Sequence, residues 1–244
     1  MLVGTFVGID SPSVVEAVGT SGFDYLVIDG EHTPIGIERI ADLLRAAEAV
    51  DVPALVRVPE TGSYVSRVLD AGAAGVLVPR IETAADAADV VARARYAPDG
   101  YRGLGPGRGG WKGGPIPEHL VASNAGVLVA IQIETRRGLD NADAILAVPG
   151  IDAVVIGPAD LAASLGVAMG SDEHAAASDR IVEAALANDV APGAFCMSVA
   201  DAERLTARGA RLLIVGGDGL FLAKASAEAW SAAESLKTSA GAVR

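Results

Sequence analysis

The sequence contains few of the residues that indicate a disulfide-linked, nucleic-acid-binding or membrane protein. Its single cysteine, Cys196, cannot form an intrachain disulfide, and no cluster of cysteine and histidine suggests structural zinc. Only 3 of the 19 basic residues are lysine and the net charge is −12, so we expect no binding to nucleic acid. Every window of about 18 residues contains charge, which argues against a membrane span. The first residues also lack the features of a signal peptide, and we expect a cytoplasmic protein.

Aromatic residues are scarce as well. They make up 4% of the chain, whereas 51% of the residues are apolar and are mostly Ala, Val, Leu and Ile. This composition is typical of β-branched barrel strands packed against alanine-rich helices. A length of 244 residues suits one such domain, and no shift in composition marks a second one. We therefore predict one domain spanning residues 1–244.

Short apolar runs alternate with amphipathic segments along the chain. The amphipathic segments show helical spacing, as in residues 36–49, 84–95 and 199–208. Such alternation with short links indicates parallel strands joined by right-handed crossovers, and eight units fit a closed barrel better than an open sheet. We predict an α/β fold, a single (β/α)₈ barrel of the TIM type. The predicted strands are 2–7, 24–28, 54–57, 75–78, 127–133, 153–156, 191–195 and 212–215.

The longest irregular stretch covers residues 97–124 and includes the glycine-rich run 102–114. A loop of this length in a compact domain is usually functional or disordered. Two interpretations stay open: an active-site cover or subunit contact, or a mobile insertion. The last segment, 220–236, predicts a long helix that either closes the barrel or packs on a neighbouring subunit.

Polar side chains gather where the predicted strands end. The loops that follow the strands of a parallel barrel converge around one mouth, where catalytic residues lie. Acids, a histidine and an arginine end successive apolar runs, so we expect them to meet at this mouth. These residues include Asp29, Glu31, His32, Arg57, Arg80, Glu82, Gln132, Glu134, Gly157, Pro158, Ala159, Asp160 and Asp218.

Glu134 and Asp160 are the candidate metal ligands. Carboxylates from adjacent strands can bind a divalent cation while leaving coordination positions open for water and substrate. The alternative is that each carboxylate caps the helix that follows it, and Asp160 stands where such a cap would be.

His32 with Asp29 is the candidate acid/base pair, because a carboxylate beside an imidazole sets its tautomer and raises its basicity. The alternative is a turn with a surface histidine. Arg57 ends an inward-facing strand, where an arginine is costly to bury without an anion. It either pairs with Asp29 or Asp70, or it holds a substrate carboxylate or a developing enolate. His119 and His174 stand in polar, loop-like contexts, and we expect no chemistry from them.

None of the three lysines lies on a predicted strand. Lys112 is in the glycine-rich run, Lys224 is in the last helix and Lys237 is in the tail. A Schiff-base aldolase needs a desolvated lysine at a strand end. Imine chemistry is therefore not expected, and a metal is the remaining means of stabilising an enolate.

Seven motifs together resemble the metal-dependent class II pyruvate aldolases, the family of 4-hydroxy-2-oxoheptanedioate aldolase and the 2-keto-3-deoxy sugar acid aldolases. The resemblance extends from about residue 4 to residue 225. Each motif is weak by itself, but their order and spacing are specific. The motifs are FDYLVIDGEHTP (23–34), LVRVP (55–59), LDAGAAGVLVPRIET (69–83), RYAPDGYRGLG (95–105), IQIET (131–135), IGPADLAASLG (156–166) and VGGDG (215–219).

The resemblance implies a role for each matching residue. Glu134 and Asp160 correspond to the ligands of Mg²⁺, Mn²⁺ or Co²⁺, and Arg57 corresponds to the residue that contacts the keto oxygen of pyruvate. His32 and Asp29 correspond to the pair that moves the proton of the 4-hydroxyl group. Asp70 matches an acid that approaches the site from a neighbouring subunit; its alternative is a helix-end acid. The residues that would line the pyruvate site are Gln132, Gly157, Pro158 and Ala159.

The resemblance further implies reversible cleavage of a 4-hydroxy-2-oxo acid to pyruvate and an aldehyde through a metal-stabilised enolate. It also implies a homo-oligomer, typically a hexamer built as a trimer of dimers with exchanged C-terminal helices. Alternatives are oxaloacetate decarboxylation, a reaction like that of macrophomate synthase, or a catalytically silent barrel that binds a 2-oxo acid. The run 102–113 is shorter and richer in glycine than in the family. There it borders the aldehyde end of the pocket, so the choice of acceptor is affected.

Overall fold

The structure is a computed structural model that describes the backbone of residues 1–241 and the side chains through Glu234. Residues 242–244 of the predicted domain, and the side chains of residues 235 and 236 in the predicted last helix, lie outside the described residues.

Within residues 1–241, eight parallel strands close into a barrel in sequence order, with β1 pairing with both β2 and β8. Helices alternate with the strands around the outside. The predicted (β/α)₈ fold is therefore confirmed. The strands are β1 Leu2–Val7, β2 Tyr25–Asp29, β3 Ala54–Arg57, β4 Gly75–Val78, β5 Leu128–Ile133, β6 Ala153–Ile156, β7 Ala191–Cys196 and β8 Leu212–Gly217.

Eleven helices are formed within the same residues, and three of the crossovers contain two helices each. The helices are α1 Pro12–Gly19, α2 Ile37–Ala49, α3 Ser63–Asp70, α4 Ala84–Ala94, α5 Ile116–Gly126, α6 Arg136–Asp140, α7 Ala142–Leu146, α8 Pro158–Leu165, α9 Asp172–Ala187, α10 Val199–Ala207 and α11 Asp218–Gly241. None of them combines the length and the apolar character that crossing a membrane requires, over the part of the chain that is described.

Alternation along each strand separates two apolar layers. On β2, Val27 faces the barrel interior, where it packs in a cluster with Leu55 and Leu77. Its neighbours Leu26 and Ile28 belong to the larger core between strands and helices. Because successive side chains of a strand point to opposite faces, residues two apart share the interior. Asp29, two residues beyond Val27, therefore points into the barrel at the end of its strand.

The irregular stretch predicted over residues 97–124 is only partly irregular. Helix α5 occupies Ile116–Gly126, so the prediction of a loop is wrong there. This helix buries none of its residues, and prolines stand at positions 115 and 117. It therefore lacks the apolar spacing by which an amphipathic helix is recognised in a sequence.

The glycine-rich run 102–114 packs at the amino end of the barrel, against the C-terminal end of α3. The Arg102 guanidinium donates to Asp70 at 2.6 Å, Gly109 N donates to the Asp70 carbonyl at 3.0 Å, and Arg108 forms an ion pair with Glu48. This run therefore does not cover the mouth of its own barrel. Of the open interpretations, a contact with another subunit stays a prediction.

Candidate active site

The predicted strand-end residues converge at the carboxyl-terminal mouth of the barrel. Asp29 and Arg57 are register partners at the ends of the neighbouring strands β2 and β3. Gln132 lies near the end of β5, and Glu134 directly follows that strand. A pocket of about 320 Å³ opens at this mouth, with Phe6 and Phe195 in its wall. The predicted site residues that line it are Asp29, His32, Arg57, Gln132, Gly157, Pro158, Ala159 and Asp160.

Arg57 and Asp29 form a bidentate ion pair on the pocket wall. Arg57 Nε and Nη2 donate to the two Asp29 carboxylate oxygens at 3.0 and 2.8 Å, and the guanidinium lies 4.5 Å from the centre of the Phe6 ring. Burial would raise the pKa of Asp29, but the hydrogen bonds and charge of Arg57 and the backbone amides of residues 31 and 32 lower it overall. Asp29 is therefore an ionised partner that fixes the Arg57 side chain.

His32 is oriented differently from the expected pair. Its backbone amide, rather than its ring, donates to Asp29 Oδ1, at 3.2 Å. The ring Nε2 lies 3.8 Å from Glu31 Oε2, and 61% of the side chain is exposed. The two carboxylate oxygens of Asp29 are occupied by Arg57, which leaves Glu31 as the acid beside the imidazole. The predicted Asp29–His32 side-chain contact is thus replaced by a Glu31–His32 contact.

Glu134 is a buried carboxylate held by two donors. The backbone amide of Arg80 donates to Oε1 at 3.0 Å, and Gln132 Nε2 donates to Oε2 at 3.1 Å. Burial, together with the negative charges of Glu31 and Asp160, raises the pKa of Glu134 to about 7. Arg80 has a φ of +55°, a left-handed conformation that is uncommon for a residue with a side chain. Backbone strain of this kind is often kept where it aims a group at a functional site.

Gly157 makes room for the Glu134 carboxylate. A Cβ atom at this position would lie 2.3 Å from Glu134 Oε2, closer than two such atoms can approach. Gly157 directly precedes α8, and Asp160 lies in the first turn of that helix. Steric fit explains the glycine here, since its φ of −88° is open to any residue.

The acidic residues of the site fit a divalent cation. Glu134 and Asp160 are close enough that the charge of Asp160 raises the pKa of Glu134. Two buried oxygens accept no hydrogen bond from any described residue: Gln132 Oε1, and Glu31 Oε2, whose nearest cation is Arg57 Nη1 at 3.3 Å. Such orphan oxygens around crowded carboxylates are satisfied by a cation or by water.

The number of protein ligands is limited, however. Among the described side chains, no three His, Cys, Asp or Glu residues are grouped so that they enclose an ion by themselves. Two carboxylates with open coordination positions are the arrangement that a catalytic metal uses.

The sequence placed Glu31 among the residues at the mouth but gave it no role, although it stands in the same motif as Asp29 and His32. Its Oε2 lies 3.3 Å from Arg57 Nη1, so it shares Arg57 with Asp29. Burial raises the pKa of Glu31 even though Arg57 and His32 act in the other direction. A role for Glu31 could have been inferred from its position two residues beyond Asp29, the inward-facing end of β2.

Asp70 is not brought to this pocket. It ends α3, at the amino end of the barrel, where its carboxylate accepts from the buried Arg102 guanidinium at 2.6 Å. Within one chain, Asp70 therefore stands at the opposite end of the barrel from Arg57. A role in catalysis would require a second subunit, and it stays a prediction.

Several known proteins are similar to this chain in sequence and in fold. The sequence profile of the HpcH/HpaI aldolase/citrate lyase family matches residues 2–225. The hydroxypyruvate/pyruvate aldolase of Paraburkholderia phytofirmans is 37% identical over 238 residues, covering 93% of this chain and 91% of that protein. The 5-keto-4-deoxy-D-glucarate aldolase of Escherichia fergusonii is 36% identical over 224 residues, covering 90% and 87%. The crystal structure of an HpcH/HpaI aldolase/citrate lyase family protein from Burkholderia cenocepacia has a TM-score of 0.89 and 37% identity, covering 96% of this chain and 94% of that one.

Proposed function

The chain belongs to the HpcH/HpaI aldolase/citrate lyase family and is a carbon–carbon lyase, and from this premise we propose that it reversibly cleaves a 4-hydroxy-2-oxo acid to pyruvate and an aldehyde. The observation that carries the proposal is that a buried arginine, Arg57, and Asp160 line one pocket at the barrel mouth, with the buried Glu134 carboxylate hydrogen-bonded to Gln132 in the wall of that pocket. Cleavage next to a keto group leaves an electron pair that must be stabilised as an enolate, and the Arg57 guanidinium, with a metal held by the neighbouring acids, would supply that stabilisation.

Glu134 and Asp160 would hold the divalent cation, Mg²⁺, Mn²⁺ or Co²⁺. When bound, the ion supplies Lewis-acid chemistry by attracting electrons from the oxygens of the 2-oxo acid. The lysines lie outside the strands: Lys112 is in the glycine-rich run and Lys224 is in α11. This distribution favours metal chemistry over an imine for stabilising the enolate.

Arg57 would donate a hydrogen bond to the keto oxygen. Its guanidinium carries five N–H groups, of which two donate to Asp29 and a third faces Glu31. The remaining hydrogens are available to the substrate, and the Asp29 carboxylate holds the guanidinium plane in place. The substrate carboxylate would bind to backbone amides at the start of α8, between Gly157 and Asp160, where the helix dipole favours an anion. Gln132 borders the same position.

His32 would move the proton of the 4-hydroxyl group. Its exposed ring stands at the pocket entrance, with Glu31 rather than Asp29 as the carboxylate beside Nε2. In the cleavage direction, the imidazole would accept the hydroxyl proton on the ring nitrogen that does not face Glu31, while the C3–C4 bond breaks and its electron pair passes to the pyruvate fragment. In the direction of synthesis, the same nitrogen returns the proton to the new hydroxyl group.

We also propose that the protein acts as a homo-oligomer, a hexamer formed as a trimer of dimers with α11 exchanged between subunits. Support comes from the apolar residues that α11 exposes in a single chain, which include Leu220, Leu222 and Trp230. Exposed apolar surface of this extent commonly marks an interface.

Deuterium exchange into the methyl group of pyruvate, followed by ¹H NMR, tests the proposal. Chelator-treated protein should be inactive, and Mg²⁺, Mn²⁺ or Co²⁺ should restore exchange. Glu134→Gln should lower the exchange rate about 100-fold or more, because it removes a metal ligand. Glu82→Gln is the matched control, since Glu82 pairs with Arg137 outside the pocket, and it should retain the wild-type rate.

The outcomes separate the proposed reaction from its alternatives. Absence of exchange with all three metals in folded protein contradicts the proposal and favours the silent barrel. Exchange accompanied by decarboxylation of oxaloacetate, but without cleavage of any 4-hydroxy-2-oxo acid, favours the decarboxylase or macrophomate-synthase-like reaction. In that case His32→Asn should leave decarboxylation unchanged, whereas an aldolase should lose cleavage activity.

A further inference from the structure

We propose that His174 is a positioning residue that holds the turn between Gly157 and Asp160 by donating a hydrogen bond to the Pro158 carbonyl. The inference rests on the proposed function, because it assigns support for the proposed carboxylate-binding and metal-binding turn. The polar sequence context indicated a loop histidine without chemistry. That expectation is wrong in its structural part, because His174 lies in α9 and is 4% exposed.

Two backbone contacts define the tautomer of the His174 ring. The Gly170 amide lies 3.3 Å from Nδ1, and an amide nitrogen can only donate, so Nδ1 accepts. The Pro158 carbonyl oxygen lies 2.9 Å from Nε2, and a carbonyl can only accept, so Nε2 carries the proton. The ring is thus a neutral bridge between the α8–α9 loop and the first residue of α8.

The ring is held firmly enough to act as a support. The hydroxyl oxygen of Ser171 accepts from the His174 backbone amide at 3.3 Å and caps α9. The buried Ser178 hydroxyl donates to the His174 carbonyl at 3.0 Å, one helical turn further on. Both contacts fix the backbone from which the imidazole extends.

The turn needs this support because it forms a thin wall between two cavities. Pro158 and Phe195 line the active-site pocket and also line a second cavity of about 390 Å³ behind it. His174 lies in the wall of that second cavity. Because cavities lie on two sides of Pro158, the hydrogen bond from His174 to its carbonyl adds to the helical bond from Leu161 N to the Gly157 carbonyl in fixing this turn. No side chain caps α8 at Gly157, which leaves the start of this helix without that form of support.

Displacement of the turn would affect binding before it affects chemistry. The amides of the turn would hold the substrate carboxylate, and Asp160 would hold the metal. Arg57 and His32, which would act on the reacting atoms, lie elsewhere, at the end of β3 and in the loop after β2. We therefore expect loss of the His174 hydrogen bond to raise KM for pyruvate and the Kd for the metal, and to change kcat little.

Three substitutions separate the two ring nitrogens. His174→Gln can present an N–H at the position of Nε2, His174→Asn reaches only the position of Nδ1, and His174→Leu removes both contacts. Mn²⁺ binding is measured by the electron paramagnetic resonance signal of free Mn²⁺, without substrate, and pyruvate methyl exchange gives KM and kcat. His119→Asn is the control for replacement of a histidine outside this turn.

We expect His174→Asn and His174→Leu to raise the KM for pyruvate and the Kd for Mn²⁺ about tenfold. In His174→Gln and His119→Asn, both values should stay within about threefold of wild type. Equal effects of His174→Gln and His174→Asn would overturn the proposal, and so would a fall in thermal stability with unchanged constants. If wild-type protein binds Mn²⁺ but does not exchange pyruvate, the proposed function fails, while the Mn²⁺ series still decides the role of His174.

Discussion

Glu134 is buried and has negatively charged neighbours, and both features raise the pKa of its carboxyl group. The pKa near 7 lies well above the ordinary value of 4.5, because burial and the charges of Glu31 and Asp160 disfavour the carboxylate. Folding therefore favours the protonated acid, and the stability that this proton contributes is lost as pH rises through about 7. In the proposed function, a divalent cation would replace the proton and remove the repulsion between these carboxylates.

We predict that the affinity for Mn²⁺ increases with pH. Below the pKa of Glu134, binding must displace a proton, so the affinity should rise by up to about tenfold per pH unit and level off above about pH 7.5. Isothermal titration in buffers of different ionisation enthalpy measures both the affinity and the released proton. Glu134→Gln should remove this pH dependence along with tight binding. A pH-independent affinity in wild type would show that Glu134 is not the titrating ligand.

At the scale of elements, the glycine-rich run is a packed segment with a steric requirement for small residues. A Cβ at Gly109 would lie 2.0 Å from the carbonyl oxygen of Leu69, in the last turn of α3. The backbone of the run can approach α3 this closely only because a side chain is absent. The abundance of glycine, which in the sequence is equally typical of a mobile insertion, here reflects contact between two backbones.

Gly109→Ala should therefore destabilise the protein. Backbone atoms must move to admit the methyl group, and we expect the free energy of unfolding to fall by about 1–3 kcal/mol in urea titrations. Gly103→Ala is the matched control, because no atom lies within 4 Å of a Cβ at that position. The control should change stability by less than about 0.5 kcal/mol. Equal stability of the two variants would contradict the packing of this run.

At the scale of the whole molecule, the position of Asp70 bears on the assembly. In one chain the pocket lies at the carboxyl end of the barrel and Asp70 lies at the amino end. Asp70 can therefore contribute to an active site only if the amino end of one subunit contacts the pocket of another. A hexamer of the expected kind would provide such contacts. Light scattering should then give a mass near six times 24.6 kDa, and a monomer would contradict the proposed assembly.

Asp70→Asn and Arg102→Gln distinguish a structural role from a catalytic one. Each substitution breaks the same ion pair, whose arginine side chain is 1% exposed, so both should lower the free energy of unfolding by about 1–3 kcal/mol. Only Asp70→Asn should lower kcat if the carboxylate acts in a neighbouring site. Unchanged kcat in both variants would leave Asp70 as a helix-end acid.

Local pattern was sufficient to predict the barrel and the residue types at its mouth. The ends of the eight strands agree with the prediction to within two residues, because β-branched runs bounded by glycine and polar residues are a local signal. The positions of Asp29, Arg57, Gln132 and Glu134 at the ends of predicted strands likewise indicated that they meet at one mouth. The motifs led to the family that the comparisons confirm.

Partners between side chains could not be predicted in the same way. For Arg57 the sequence left both Asp29 and Asp70 open as partners, and only the closed barrel selects Asp29. The Arg80 amide that holds Glu134, 54 residues away, had no signal in the sequence. The contact of His32 with Glu31 instead of Asp29 also depends on the closed barrel, because Arg57 occupies the Asp29 carboxylate there.

The sequence by itself determined the fold class, the residues at the strand ends and the family, because each is encoded in short-range pattern. The tertiary structure alone decided which donor meets which acceptor, where the glycine-rich run packs, and that His174 is buried behind the active-site wall. These depend on distances between segments far apart in the chain, and such distances exist only in the closed barrel.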